Sequence, residues 1–104
     1  MKTLKDILNR NQTFMTRTIN DLVAEKEDFA KEIVSCLERH FENDFGELGE
    51  KDIQANMKGI ESDLLEDRVL SKYNTSEGDI YIITELYHAE GFDIITNIMF
   101  CKEY

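Results

Sequence analysis

The stretch CLERHFENDFGEL, residues 36–48, places one histidine among several carboxylates at short spacing. If the helix predicted here continues to residue 43, His40 lies about one turn before Asp44. A carboxylate that orients an imidazole, whose pKa is near neutral, is suited to proton transfer. Thr84 and Glu85 end a predicted central strand, where a polar cluster is expected to meet His40. His40, Asp44 and Glu85 are therefore the catalytic residues of one alternative, a small hydrolase or nuclease.

The same stretch offers ligands for Mg²⁺ or Mn²⁺, from His40, Asp44, Glu47 and Asp52. The spacing is not that of an EF-hand loop, which requires acidic residues at alternate positions before its glycine. The chain also lacks a P-loop, an HExxH and a GxGxxG motif. Our leading interpretation therefore assigns no catalytic residue, no metal and no cofactor. It treats His40 as a side chain at the edge of the core, hydrogen-bonded to a nearby carboxylate or carbonyl group.

The charge of the chain favours another kind of function. Twenty-two Asp and Glu oppose twelve Lys and Arg, for a net charge of −10. This charge repels nucleic acid backbones and anionic membranes, so we expect neither to bind directly. A solvated, solubilising surface is the simplest explanation. The sharper hypothesis is an acidic surface that binds a basic protein surface in place of nucleic acid phosphates, with strong dependence on salt. Its predicted residues are Glu42, Asp44, Glu47, Glu50, Asp52, Glu61, Asp63, Glu66 and Asp67.

The elements that must position these residues are predicted by hydrophobic periodicity. Apolar residues recur at spacings of three and four over residues 27–43 and again after residue 50, which predicts a helical region at 27–61. Residues 67–101 instead alternate and are interrupted by the turns SEG and HAEG, which predicts an antiparallel meander. The segment QTFMTRTI, residues 12–19, predicts one earlier strand.

We therefore expect an α+β fold in a single domain, residues 1–104. In this fold an N-terminal strand and helices pack on a C-terminal three-stranded antiparallel meander. Residues 80–83 are apolar on both faces of their strand, which predicts a central strand covered on both sides. A third interpretation follows from this run: a homodimer, acting as an accessory subunit, whose apolar sheet face pairs with a second copy.

Cysteine usage and hydropathy predict a cytoplasmic protein. Cys36 and Cys101 form no CxxC pair and fall at apolar positions, as expected of free thiols in a reducing compartment. Charged residues interrupt the apolar positions of the first twelve residues, so we expect no signal peptide. No window approaches the roughly 18 apolar residues of a membrane-spanning helix.

Several short motifs resemble a family of small uncharacterised proteins found on bacterial plasmids and other mobile elements. The resemblance covers roughly residues 36–104. Its motifs are Arg39-His40, NDFGEL at 43–48, Asp52 with Asn56, LSKY at 70–73, IITE at 82–85 and the terminal KEY. The chain departs from the family pattern at Asn43, Phe45, Lys72 and Lys102, where the family has Gly, Trp, Ala and Glu.

The resemblance implies a genomic setting and no activity. Small proteins of mobile elements often block restriction or CRISPR machinery, so it suggests an inhibitor of a nucleic-acid-binding host defence complex, of the anti-restriction or anti-CRISPR type. The motif NDFGEL also suits a structural role. Asp44 is expected to cap the turn after the helix, Phe45 and Leu48 to anchor that turn in the core, and Gly46 to allow the bend.

Overall fold

The computed structural model of the chain describes residues 2–8, 11–87 and 93–104. It confirms the α+β class, with three α-helices and a four-stranded mixed sheet. Short 3-10 turns at Leu4–Ile7 and Cys101–Glu103 flank this core. The main elements are β1 (Asn11–Met15), α1 (Arg17–Glu25), α2 (Glu27–Phe41), α3 (Glu50–Glu61), β2 (Val69–Thr75), β3 (Gly78–Tyr87) and β4 (Asp93–Phe100).

The strand order in the sheet is β1-β4-β3-β2. Strands β2, β3 and β4 form the predicted antiparallel meander. The prediction that the N-terminal strand packs on a three-stranded meander is wrong, because β1 instead joins the sheet as a fourth strand, parallel to β4. Parallel neighbours are far apart in sequence and share no turn, so local patterns carry no signal of this pairing. The second predicted turn, HAEG at 88–91, lies outside the described residues.

The first strand is shorter than the predicted segment 12–19, because Thr16 ends it. The Thr16 backbone N–H donates to the Ile98 carbonyl at 3.0 Å, as the last bond to β4. The Thr16 hydroxyl then accepts a hydrogen bond from the backbone N–H of Ile19 and caps α1. The alternation that predicts a strand over 16–19 therefore belongs to the first turn of a helix.

All three helices cover one face of the sheet, and the buried apolar residues form two clusters there. The first cluster includes Ile19, Phe29, Ile33, Cys36, Tyr73, Ile80, Ile82, Ile98 and Phe100. The second includes Leu4, Phe45, Ile60, Leu64, Val69 and Ile94. Between them the inward-facing positions of the strands are polar, which sets the place of the site described below.

The opposite face of the sheet carries no helix within the described ranges. β3 is a central strand, as predicted, and Ile83 on this outer face is buried. The C-terminal Tyr104 ring contacts the Tyr81 ring edge-on and lies under the Arg68 guanidinium. Tyr81 lies two residues before Ile83 on the same face, so the chain end packs on this face close to Ile83. Among the helices of the described ranges, none has the length and apolarity to cross a bilayer.

Candidate functional site

His40 lies in the last turn of α2 and is fully buried. Its Nδ1 lies 2.6 Å from the Ser71 hydroxyl on β2. Its Nε2 lies 2.9 Å from the Thr84 hydroxyl on β3. Asp44, the carboxylate expected to orient it, is not a partner. The imidazole is hydrogen-bonded as predicted, but the predicted carboxylate or carbonyl partner is wrong, because both partners are hydroxyl groups.

These bonds belong to a chain that continues across the sheet. The Thr84 hydroxyl lies 2.8 Å from that of Thr96 on β4, and the Thr96 hydroxyl donates to Asn11 Oδ1 on β1 at 2.9 Å. A hydroxyl has one proton. Because Thr96 donates to Asn11, it must accept from Thr84, and Thr84 in turn must accept from His40 Nε2–H. A neutral His40 then has an acceptor at Nδ1, to which Ser71 donates.

This polar row (Ser71, His40, Thr84, Thr96 and Asn11) takes one residue from each strand and one from α2. Within the described ranges, no buried side-chain nitrogen or oxygen lacks a hydrogen-bond partner. A fully satisfied buried network contributes to the choice of a single strand arrangement, because any shift leaves a polar group unpaired at a cost of about 1–3 kcal/mol. The row therefore fixes the order and alignment of strands that apolar contacts alone would specify less strictly.

The row lies inside the fold, and its histidine is uncharged at neutral pH. Burial lowers the pKa of His40 to about 3, so the imidazole is neutral at pH 7. The Ser71–His40 pair resembles a nucleophile and its base, but both side chains have no exposed surface. The groups that would take part in a reaction are thus closed off from any substrate.

The three residues of the catalytic alternative are not brought together. Asp44 lies on the surface and forms a bidentate ion pair with Arg39. The Arg39 Nε donates to Asp44 Oδ2 at 2.8 Å and its Nη2 donates to Oδ1 at 3.1 Å. That contact holds the pKa of the Asp44 carboxyl below its usual value. Glu85 is exposed on the outer face of the sheet, opposite His40. The metal alternative lacks support as well, since no three potential ligands among the described residues converge.

The turn after α2 closes one edge of the sheet. Gly46 has a positive φ of 74°, and a Cβ there would overlap the Lys72 carbonyl oxygen. The backbone of this turn pairs with β2: the Lys72 N–H donates to the Phe45 carbonyl at 3.0 Å, and the Glu47 N–H donates to the Lys72 carbonyl at 2.8 Å. Phe45 is buried and Asp44 Oδ1 accepts from the Gly46 N–H, so the roles expected for this motif are confirmed.

The side chain of Asn56 covers the same edge two residues earlier in β2, at Leu70. Its side-chain amide donates to the Leu70 carbonyl at 2.7 Å and its Oδ1 accepts from the Leu70 N–H at 2.9 Å. The amide of Asn56 thus occupies the place of a neighbouring strand's peptide group. We call the turn 45–47 and Asn56 together the β2 edge cover.

The surplus negative charge is concentrated in the segment that carries this cover. Residues 42–67 contain nine acidic and two basic residues, a net charge of −7, whereas residues 1–41 contain seven of each. All nine acidic side chains are those predicted for binding, and all are exposed. Three of them form ion pairs: Asp63 with Lys2 at 2.6 Å, Glu42 with Lys5 at 2.6 Å, and Asp44 with Arg39. We call residues 42–67 the acidic segment.

An exposed leucine lies within the acidic segment. Leu65 is 70% exposed, and the two residues before it, Asp63 and Leu64, both have positive φ, at 53° and 69°. Leu64 is buried in the second cluster, so this turn is anchored while Leu65 points outward. Ile53 on α3 is also exposed. An apolar side chain surrounded by carboxylates has the composition of a protein interface, with an apolar centre and a charged rim.

Sequence reasoning located the acidic residues but missed Leu65, Ser71 and Thr96. Leu65 lies beyond the helix, which ends at Glu61, and its exposure is set by the turn at Asp63 and Leu64, whose positive φ values have no periodic signal. The two hydroxyls occupy inward positions of strands where alternation predicts apolar residues. That departure from alternation is the available signal.

Comparison of the chain with models of known protein families, with characterised proteins and with solved structures found no match.

Proposed function

We propose that the chain is a non-enzymatic binding module that holds its acidic segment against a basic protein surface. The observation that carries this proposal is the concentration of charge: seven of the ten surplus negative charges lie in residues 42–67. Such a surface attracts a cationic partner and competes with the phosphates that the partner normally binds. We further propose that the partner is a nucleic-acid-binding host defence complex, of the restriction or CRISPR type, in a bacterial cytoplasm.

The rigidity of the acidic segment supports this function. α3 is tied to β2 through Asn56, and Gly59 lies against the backbone of Asp67 so closely that a Cβ would be 2.9 Å from the Asp67 carbonyl oxygen. The Leu64 N–H also donates to the Gly59 carbonyl at 2.7 Å. A backbone held in place loses little conformational freedom on binding, which favours affinity.

The test compares two variants with the same change in charge. The first replaces Glu61, Asp63, Glu66 and Asp67 by their amides. The control replaces four exposed acids of the helical N-terminal half, Asp21, Glu25, Glu27 and Asp28, in the same way. We expect the wild-type chain to raise phage plating on a bacterial strain with an active restriction or CRISPR system, the control to do the same, and the first variant to lose the effect.

Binding in solution gives the second readout. Purified defence effector is captured on the immobilised chain at 50 and 500 mM salt, and retention should fall by at least about tenfold as the salt rises. Equal plating with the two variants, or capture that does not respond to salt, would remove the acidic segment from the mechanism. A chain that protects no phage on any defended strain would end the inhibitor proposal.

A further inference from the structure

Among the described residues, the edge of the sheet formed by β1 has no counterpart of the cover that closes the β2 edge. β1 is the outermost strand, with β4 on one side and, among the described residues, no strand on the other. The Thr16 N–H points toward β4, where it donates to Ile98. Successive residues of a strand direct their backbone N–H and C=O groups to opposite sides. The backbone groups of Thr13 and Met15 therefore point away from β4, into the open edge.

The side chains of this edge give no protection against pairing with another strand. Edge strands are usually blunted by charged residues, proline or bulges. Residues 11–16 contain no charged residue and no proline, although 33% of the residues in the chain are charged. The side chains of Thr13, Phe14 and Met15 are exposed, that of Phe14 to 49%.

The charge distribution indicates which strand could pair with the β1 edge. Residues 11–16 and 94–101 are the two longest stretches of the chain without Asp, Glu, Lys or Arg, and they pair with each other as β1 and β4. The acidic segment packs on β2, at the opposite edge. Two copies that meet along β1 would therefore place their acidic segments at the two far ends of a continuous sheet. Repulsion between them is screened beyond roughly 8 Å at physiological salt.

We infer that β1 is a self-association edge, and that it pairs antiparallel with β1 of a second copy about a two-fold axis beside Phe14. In this alignment Thr13 of each copy faces Met15 of the other, and each such pair exchanges two backbone hydrogen bonds. The two Phe14 rings lie side by side across the axis, as a stabilising aromatic cross-strand pair. The result is one sheet of eight strands.

The dimer is expected to be weak, because five residues from each copy bury much less than the 1,200 Å² of a stable interface. We expect a dissociation constant on the order of 100 µM. This inference does not depend on the proposed function, since the acidic segment remains exposed in both the monomer and the dimer.

The test measures mass by sedimentation equilibrium between about 10 µM and 1 mM. The wild-type mass should rise from 12.2 kDa toward twice that value. Phe14→Lys sets two cations opposite each other and should weaken the dimer by at least about tenfold. Val34→Lys is the matched control, because Val34 is similarly exposed, to 56%, on α2. It should behave as the wild type.

A cysteine variant decides the question if Phe14→Lys fails to fold by circular dichroism. In the proposed pair, the Cα atoms of the two residues at position 14 lie within the range that a disulfide spans. Phe14→Cys treated with diamide, which takes up the two hydrogens, should form a covalent dimer at 1 mM, while Val34→Cys should not exceed the wild type, whose Cys101 is partly exposed. A wild type that stays monomeric at 1 mM, an unchanged dimer in Phe14→Lys, or no excess crosslinking at position 14 would overturn the inference.

Discussion

The two edges of the sheet differ in how their backbone groups are satisfied. At the β2 edge, Leu70 bonds the side-chain amide of Asn56, and Lys72 bonds the backbone of Phe45 and Glu47. At the β1 edge, a strand without charge or proline presents Thr13 and Met15 to the surroundings. An uncovered edge invites pairing with another strand, whereas a covered edge excludes it.

The charged residues are also divided unequally between the β2 edge and the β1 edge. The covered edge adjoins the acidic segment, and the open edge adjoins the two longest uncharged stretches. A charged surface binds oppositely charged partners and repels its own copies, whereas an uncharged edge can accept its own copy. In the two proposals above, one small sheet separates two kinds of contact, one at each edge. The polar row crosses the space between them and holds all four strands in alignment.

The largest expected effect comes from the turn of the β2 edge cover. Gly46→Ala adds a Cβ at positive φ that overlaps the Lys72 carbonyl oxygen. We expect a loss of about 3 kcal/mol or more in the free energy of unfolding, from backbone strain and broken pairing. Gly49→Ala is the control, because no atom lies within 4 Å of its added Cβ, and it should cost less than about 1 kcal/mol. Urea denaturation measures both, and equal costs would show that the turn does not close the edge.

The next effect concerns the amide of the same cover. Asn56→Ala removes both hydrogen bonds to Leu70 and leaves the backbone N–H and C=O of Leu70 without their partner. We expect a loss of about 2 kcal/mol. Gln54→Ala, at an exposed position of the same helix, should change the stability by less than about 0.5 kcal/mol. If Asn56→Ala proved as mild as this control, water would satisfy the β2 edge as well as the side chain does.

A loss of stability of similar size is expected at low pH, through the polar row that lies between the two edges. Because the folded pKa of His40 is about 3, only the unfolded chain binds a proton there between pH 6.5 and 3. Stability therefore falls as the pH falls through this window, with a loss of about 2 kcal/mol from pH 7 to pH 5. His40→Phe, though less stable at pH 7, should lose much less over the same interval. If the NMR resonances of the His40 imidazole titrated near pH 6.5 in the folded protein, the burial of the polar row and the lowered pKa of His40 would be refuted.

The smallest effect is expected at the open edge. Phe14 is half exposed and lies outside both buried clusters. Phe14→Lys should therefore change the stability of the monomer by less than about 0.5 kcal/mol, measured by urea denaturation in dilute solution. A loss above about 2 kcal/mol would mean that this edge is part of the monomer's core and is not free for a second chain.

Much of the fold follows from patterns in the sequence, and the exceptions have a common cause. Periodicity predicted α2, α3 and the meander, because each buries one face against the rest of the chain. It missed the pairing of β1 with β4, which joins segments about eighty residues apart, and the start of α1 at Arg17, which a threonine hydroxyl decides. Long-range pairing and single capping bonds leave no periodic signal.

The candidate site shows the same limit. The nine carboxylates of the acidic segment were identified by composition, and their exposure needs only that charges stay in water. Of the two partners of His40, Thr84 was expected near it, at the end of the central strand, and it does bond the imidazole. Ser71 was not identified, since the sequence offers nearby acids and the fold brings this serine from 31 residues away. Leu65 was not identified because the turn that exposes it depends on positive φ values at Asp63 and Leu64, which periodicity does not indicate.

Amide hydrogen exchange, resolved by residue and followed against protein concentration, tests the difference between the two edges most directly. The N–H groups of Leu70 and Lys72 should be protected at every concentration, because their partners belong to the same chain. Those of Thr13 and Met15 should exchange rapidly in dilute solution and become protected as the concentration approaches the millimolar range. Protection of Thr13 and Met15 in dilute solution equal to that of Leu70 and Lys72, or rapid exchange at all four, would contradict the account.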